Sequence, residues 1–388
     1  MSNLPKGWEE VKLGDFCDIL DNQRIPISSE KRAEIKGNIP YYGANGVQDY
    51  INDFIFNETL VLLAEDGGNF NDYQTRPIAY MIHGKSWVNN HTHVLRAKNG
   101  ENYFLFYSLV HKDITSFING GTRTKLNRGE LVKIPIFVPP LEEQKKIADI
   151  LSTVDKKIAF VEENINATEE LKKGLMQKLL TEGIGHTEFK DSELGRIPES
   201  WESAKIGEVC KFSQGVQIPI EEQLTEKQEN YIRFLRISDY TQNTTDIRYV
   251  PNSYNNSIIS EEEIVMVRYG ETAGFIGRGF EGVLANNLFT INPINKNLSK
   301  DFIYIFMKQP SMYNYLKNLR AAGAMPAVNF KSLSIIKLPI PPIEEQKQIA
   351  EILSTVDKKI ENLKEKKQSF EELKKGLMQK LLTGEVRV

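Results

Sequence analysis

A segment that opens Pro139-Pro140-Leu141-Glu142-Glu143-Gln144 returns without a gap at Pro341, and 31 of its 45 positions are identical in the two copies. The copies share Ile-Leu-Ser-Thr-Val-Asp-Lys-Lys-Ile (150–158 and 352–360) and Glu-Glu-Leu-Lys-Lys-Gly-Leu-Met-Gln-Lys-Leu-Leu-Thr (169–181 and 371–383). What lies between them barely matches. A fixed internal repeat constrains architecture before any local propensity does. A chain that keeps its spacers and varies its intervening domains uses those domains to read two different things.

The repeat reaches into the flanking sequence. Pro5-Lys6-Gly7-Trp8-Glu9 returns as Pro198-Glu199-Ser200-Trp201-Glu202, and Gly14-Asp15-Phe16-Cys17 as Gly207-Glu208-Val209-Cys210. Leu126-Asn127 pairs with Val328-Asn329 and Leu131 with Leu333. Ile134, Ile136 and Val138 alternate as in a half-buried strand, and so do Ile336, Leu338 and Ile340. The expected domains are 1–138, a central segment 139–186, a second domain 187–340 and a final segment 341–388.

Each long segment predicts a helix. Acidic residues follow a proline pair, as suits a helix N-terminus. Ile147, Leu151, Val154, Ile158, Val161 and Ile165 then follow at alternating spacings of four and three, a coiled-coil seam. Ile349, Leu353, Val356, Ile360 and Leu363 repeat it, with Phe370 further on. Leu171, Leu175 and Leu179, and their copies Leu373, Leu377 and Leu381, read as continuing on a shifted face. Gly183 and Gly384 end the runs. A helix of ~40 residues is ~60 Å long, whereas a compact domain of ~150 residues is only ~40 Å across. An intervening domain cannot bridge the ends of two parallel helices, so the helices are expected to be antiparallel, giving a dumbbell with a pseudo-twofold axis. The competing reading is a zipper between chains. The fold class is α+β: two globular domains joined by an antiparallel coiled coil.

In the domains, Thr59–Ala64 and Ile264–Arg268 read as buried strands. Tyr103, Phe106, Tyr107, Val110, Ile114 and Phe117 have helical spacing, matched by Asp301–Met307 up to Pro310, and read as core. Asn, Gln, Arg and small residues, the types that pair with base edges, gather in the loops. The candidate contacts in the first domain are Tyr42, Asn45, Arg76, Asn90, His91, Arg123 and Lys125. In the second they are Gln214, Gln217, Arg233, Arg268, Arg278, Asn287 and Arg320.

Chemistry is sparse. Gly277-Arg278-Gly279-Phe280-Glu281-Gly282 matches G-x-G-x-x-G, but β-type residues follow where a dinucleotide site needs a helix, so a glycine-rich hairpin is expected. His91 and His93 have no Cys or third His nearby for zinc. No Walker loop and no amino-methyltransferase motif is present, so no catalytic residue is expected, and no metal or cofactor on this chain. Cys17 and Cys210 occupy equivalent positions and read as buried thiols of a reducing cytosol. The net charge of −3 lacks the basic footprint of a strong nucleic-acid binder. No apolar run reaches membrane length and residues 1–5 are no signal peptide, so a cytoplasmic protein without membrane contact is expected.

With its Pro-x-x-Trp openings, paired Pro-Pro-(Leu/Ile)-Glu-Glu-Gln helix starts, paired Lys-Lys-Gly-Leu-Met-Gln-Lys-Leu-Leu-Thr ends and the linker Gly183-Ile184-Gly185-His186-Thr187-Glu188-Phe189, the chain resembles the specificity (S) subunit of type I restriction–modification systems over essentially its whole length. The resemblance implies a non-catalytic subunit. Its two target-recognition domains would each read half of a split, asymmetric double-stranded DNA sequence. It implies that the repeated helices dock two modification (methyltransferase) subunits that bind S-adenosylmethionine, joined by restriction (motor–nuclease) subunits using ATP and Mg2+. Docking candidates on the helices are Glu143, Gln144, Lys172, Lys173 and Met176, with copies Glu345, Gln346, Lys374, Lys375 and Met378. Three alternatives stay open: a specificity subunit of a fused methyltransferase–nuclease, a coiled-coil protein-interaction scaffold, and a free-standing enzyme.

Overall fold

The computed structural model describes residues 4–120, 124–242, 244–318 and 327–388. The chain forms two compact units, residues 1–164 with 363–388, and residues 165–362. Each unit therefore holds one globular domain and part of each long helix.

In the first unit, the apolar run Leu60–Ala64 is buried at every position. It lies inside a four-stranded antiparallel sheet, with Thr92–Ala97 on one side and Ala79–Ile82 on the other; Cys17–Ile19 forms the edge beside Thr92–Ala97. Two buried faces select such a run, because every side chain of the strand leaves water. The strand starts one residue later than its sequence suggests, since the Thr59 carbonyl is taken by the Asn102 side-chain amide at 2.9 Å. A second sheet, in the order Gly46–Ile51, Lys36–Gly43, Lys85–Val88, Phe56–Asn57, contains one parallel pairing, Tyr41 and Tyr42 with Trp87 and Val88. The aromatic helix is shorter than expected, Asn102–Leu109. Asp113 then accepts from the backbone N–H of Thr115 and turns the chain, leaving Ile114 and Phe117 outside the helix.

The second unit repeats this topology strand for strand. Cys210–Gln214, Leu288–Pro293, Val265–Val267 and Ile276–Gly277 form one sheet, and Arg248–Pro251, Tyr231–Leu235, Gly282–Leu284 and Ile258–Ile259 the other. The glycine-rich run is no hairpin: Gly277 ends a strand of the first sheet, whereas Gly282 opens a strand of the second. Its glycines serve close approach. A Cβ on Gly282 would lie 2.2 Å from the Arg233 carbonyl oxygen, and one on Gly277 2.5 Å from the Tyr240 ring.

The long helices are Leu141–Leu179 and Ile343–Leu382. In the first unit Asp155 pairs with Lys374 at 2.6 Å and Glu162 with Lys367 at 3.0 Å. Ascending numbers on one helix meet descending numbers on the other, so this pair is antiparallel. In the second unit Met176 and Leu179 share a core with Ile349 and Leu353, and Lys172 pairs with Asp357 at 2.6 Å, again antiparallel. The seam does not shift after Ile165. It continues with unbroken four–three spacing through buried Thr168, then Lys172, Leu175 and Leu179, which leaves Leu171 54% exposed and its copy Leu373 49% exposed. A lysine at a seam position hides the heptad in the sequence, and its salt bridge to Asp accommodates it in the fold.

Candidate nucleic-acid interface

In the first unit the segments after Cys17–Ile19, after Leu60–Ala64, before Thr92–Ala97 and before Leu126 meet at one end of the antiparallel sheet. Leu126 N–H donates to the Glu65 carbonyl at 2.7 Å, and Lys125 exchanges backbone hydrogen bonds with Asn119. Asn45 joins them by donating from its side chain to the Gly67 carbonyl at 2.9 Å. Asn45, Gln48, Asp66 and His91 line a cleft of about 350 Å³ there. His91 Nδ1 lies 2.6 Å from Asp66 Oδ1.

Beneath this cleft lies an ionic network. His93 is 1% exposed, its Nε2 2.8 Å from the Leu126 carbonyl and its Nδ1 2.6 Å from Asp21 Oδ2. A carbonyl only accepts, so Nε2 carries a proton. Burial pushes the Asp21 carboxyl up, but hydrogen bonds from His93 and the Val94 N–H, with the nearby Arg24, outweigh it and hold Asp21 below the ordinary carboxylate range. Asp21 is therefore ionised, and its carboxylate faces Nδ1. Arg24 reaches Glu65 at 2.6 Å and Lys125 reaches it at 3.1 Å. For Glu65 too, burial is outweighed by these donors and its carboxyl titrates below the usual value. Asp21, Glu65 and His93 place ligand atoms within 4.8 Å of one another. With the Nε2 proton committed to the Leu126 carbonyl and Arg24 and Lys125 on the carboxylates, the trio is an ion-pair network and does not fit a metal.

The second unit builds the same place from other side chains. Val328 N–H donates to the Arg268 carbonyl at 2.9 Å, the counterpart of Leu126 on Glu65. Gln214 opposes Phe289 in the ladder that pairs Cys210 with Pro293, so these two stand where Asp21 and His93 stand in the ladder of Cys17 and Ala97. Arg268 donates to Gln214 and lies over the rings of Phe330 and Tyr269 at 4.8 and 4.9 Å. Gln214 donates to the Asn286 carbonyl, and Asn286 to Gln217.

The structure thus gathers Asn45, Asn90, His91 and Lys125 in one unit, and Gln214, Gln217, Arg268 and Asn287 in the other. Three candidates lie apart, while Tyr42 borders the tip, its carbonyl accepting from the Asn89 N–H at 3.0 Å. The Tyr42 ring packs on Tyr80, and burial raises its phenol. Arg233 is bonded to buried Asp239 at 2.7 Å beneath the Phe280 ring, and Arg278 to Asp301 over Tyr304. Both arginines are committed to holding elements together. Arg76 is exposed beside Asp72, in the loop whose Gln74 and Thr75 line a groove along the helices. Arg123 and Arg320 lie outside the described residues. Asp21, Arg24 and Glu65 escaped the sequence reading, and His93 figured there only beside His91 as a zinc pair without further ligands, because only pairing of strands far apart in the chain assembles them.

On the helices, the docking role expected for four residues needs correction. Glu143 is 5% exposed and accepts from the Trp8 indole and from Arg387; Glu345 accepts from the Trp201 indole at 2.9 Å and faces His186 at 2.9 Å. Gln144 bridges the Pro139 carbonyl and the Glu101 N–H, and Gln346 bridges the Pro341 carbonyl and the Ser299 N–H. These repeated residues fasten each domain to its helix; Glu143, Gln144 and Gln346 are buried, and half-buried Glu345 is taken up by Trp201, Ile184 and His186. Lys172 and Lys374 are spent on Asp357 and Asp155, the latter also accepting from Tyr107 at 2.7 Å. Met176 is buried in its unit's core. Lys173 and Lys375 stay exposed. Lys375 and Met378 line the groove of about 940 Å³ in the first unit.

Residues 5–170 and 198–372 match the family described as the type I restriction modification DNA specificity domain. The chain belongs to that family. Among curated relatives, this specificity subunit is 30% identical to the type I restriction enzyme MjaVIII specificity subunit of Methanocaldococcus jannaschii, over 99% of this chain and 94% of that one. It is 28% identical to the putative MjaX specificity subunit of the same organism, over 100% and 96%. Its fold is similar to the crystal structure of the type I S subunit from M. genitalium, with a TM-score of 0.69 at 16% identity, covering 98% of this chain and 97% of that one. The protein is thus the DNA sequence-specificity subunit of a type I system, a non-catalytic role. Among the described residues no helix is long and apolar enough to cross a membrane.

Proposed function

We propose that each unit reads one half of a bipartite, asymmetric DNA site, and that the repeated helices seat two modification subunits. The observation that carries this reading is the tip itself: one backbone frame in both units, dressed with different side chains. A shared frame presents both tips to the same kind of ligand, and differing side chains make them prefer different bases. Leu171 and its copy Leu373 are exposed apolar side chains at the same repeat position of the two helices, offering the same contact twice, as two identical partners would need. With a net charge of −3, the subunit shares its grip on DNA phosphates with those partners. S-adenosylmethionine belongs to the modification subunits, ATP and Mg2+ to motor–nuclease subunits, and the assembly works in the cytoplasm of a bacterium or archaeon.

Methylome sequencing of the host with and without this gene tests the reading, followed by replacement of residues 198–338 with the matching domain of another specificity subunit. The expected result is a two-part methylated motif that needs the gene and changes in one half only after the exchange. A motif that changes in both halves would refute independent readers.

A further inference from the structure

We propose that His93 is a positioning residue for DNA reading by the first unit. Clamped between Asp21 and the Leu126 carbonyl, its imidazolium holds Lys125 at the tip, and it makes one half of the recognised site, and not the other, sensitive to pH. This rests on the two-reader function proposed above.

The clamp needs two protons on one ring. Nε2–H holds Leu126 at 2.8 Å and Nδ1–H holds Asp21 at 2.6 Å, in a site where His93 is 1% exposed. A neutral imidazole can donate from only one nitrogen. Losing a proton therefore leaves a lone pair against an acceptor with no water to relieve it, the costly arrangement for a buried polar group. Leu126 is the residue where the chain leaves the tip for the domain core, and Lys125 before it is anchored through Asn119, Asp66 and Glu65. Freeing the Leu126 carbonyl loosens the base on which Lys125 stands.

The surrounding charges sharpen the effect. Facing His93 are Asp21, Arg24 beside it, Glu65 at 3.9 Å, and Lys125 on Glu65; beyond them lies the pair Asp66–His91. Arg24 and Lys125 balance Asp21 and Glu65, so the His93 proton is the surplus positive charge of this cluster. In the second unit the equivalent residues are Gln214, Phe289 and Arg268, none of which titrates near neutrality. Sensitivity to pH is thereby confined to one reader.

The test uses the full chain with its modification subunits bound to duplexes carrying the methylated motif, or the motif with one base pair changed in either half. For the natural protein, discrimination in one half should fall at least about fivefold between about pH 6 and about pH 9, the lower end of what a wrong base pair costs. Discrimination in the other half should stay level. H93F places the second unit's residue in the first, and H93Q keeps one donor without titrating. Either variant, its fold checked by thermal melting, should show a pH-independent profile in the affected half and an intact other half. Level profiles in both halves of the natural protein overturn the proposal. So does pH dependence that survives in H93F and H93Q, which would place it at His91 and Asp66. If the host has no motif that requires the gene, the two-reader function itself fails, and the methylome shows that before any variant is made.

Discussion

Arg387 and Glu143, 244 residues apart in the chain, form a salt bridge of 2.7 Å at the buried start of the first long helix. The second unit solves the same problem with different groups. There the segment after the first long helix folds over Glu345, with Ile184 N–H donating at 2.8 Å and His186 facing it at 2.9 Å. In each unit the residues following one helix close over the first turn of the other, on a glutamate that also accepts from a tryptophan.

Removing Arg387 should lower the melting temperature of the first unit. The Arg387 guanidinium above all, with the Trp8 indole, holds the Glu143 carboxyl below its ordinary value of 4.5, against burial. A depressed carboxylate contributes stability above the unfolded value and loses it as pH falls through the folded one. The gap in melting temperature between the natural protein and R387A should therefore be constant near neutrality and close below about pH 4.5. Calorimetry across that range checks it; a gap that widens in acid would contradict the pairing.

The seam lysines should couple to their aspartates. A double-mutant cycle of K374M and D155N, read by urea unfolding, is expected to give about 0.5–1 kcal/mol for this partly exposed pair, weakening in high salt. Lys172 with Asp357 should behave alike, since the two pairs occupy the same repeat positions. Zero coupling in both would return the helix seam to its apolar residues alone.

Leu171 and Leu373 should act on assembly and leave folding untouched. As exposed side chains, their replacement by glutamate should change stability by no more than about 0.5 kcal/mol. Native mass spectrometry is expected to show that either variant retains one modification subunit and the double variant none. Two bound subunits on the double variant would move the docking face elsewhere.

The two thiols should be inert in the folded protein. Burial raises both Cys17 and Cys210 to about 12. At about pH 8 only ~1 in 10⁴ of each is thiolate, the reactive form. A chromogenic disulfide reagent should label neither until denaturant is added, and then both; fast labelling of either in the native state would show that its domain opens.

What the sequence by itself determined was periodicity. The repeat, the four–three spacing from Ile147 to Ile165, the alternation at Ile134, Ile136 and Val138, and the apolar run after Thr59 all became the elements they predict, because burial of a regular face selects them locally. The tertiary structure decided what depends on partners distant in the chain. Lys172 and Lys374 broke the heptad on paper, and only Asp357 and Asp155 across the helix pair make them seam residues. Glu143 and Gln144 looked like exposed polar helix starts until Trp8, Arg387 and Glu101 covered them. Gly277 and Gly282 looked like one loop, yet serve two different sheets. The tip is the extreme case. Asp21 and Glu65 carry no spacing signal, and nothing in the spacing of His93 or Leu126 joins them to these two, since a polar network is set by which strands pair, and strand pairing is the long-range step that local sequence does not encode.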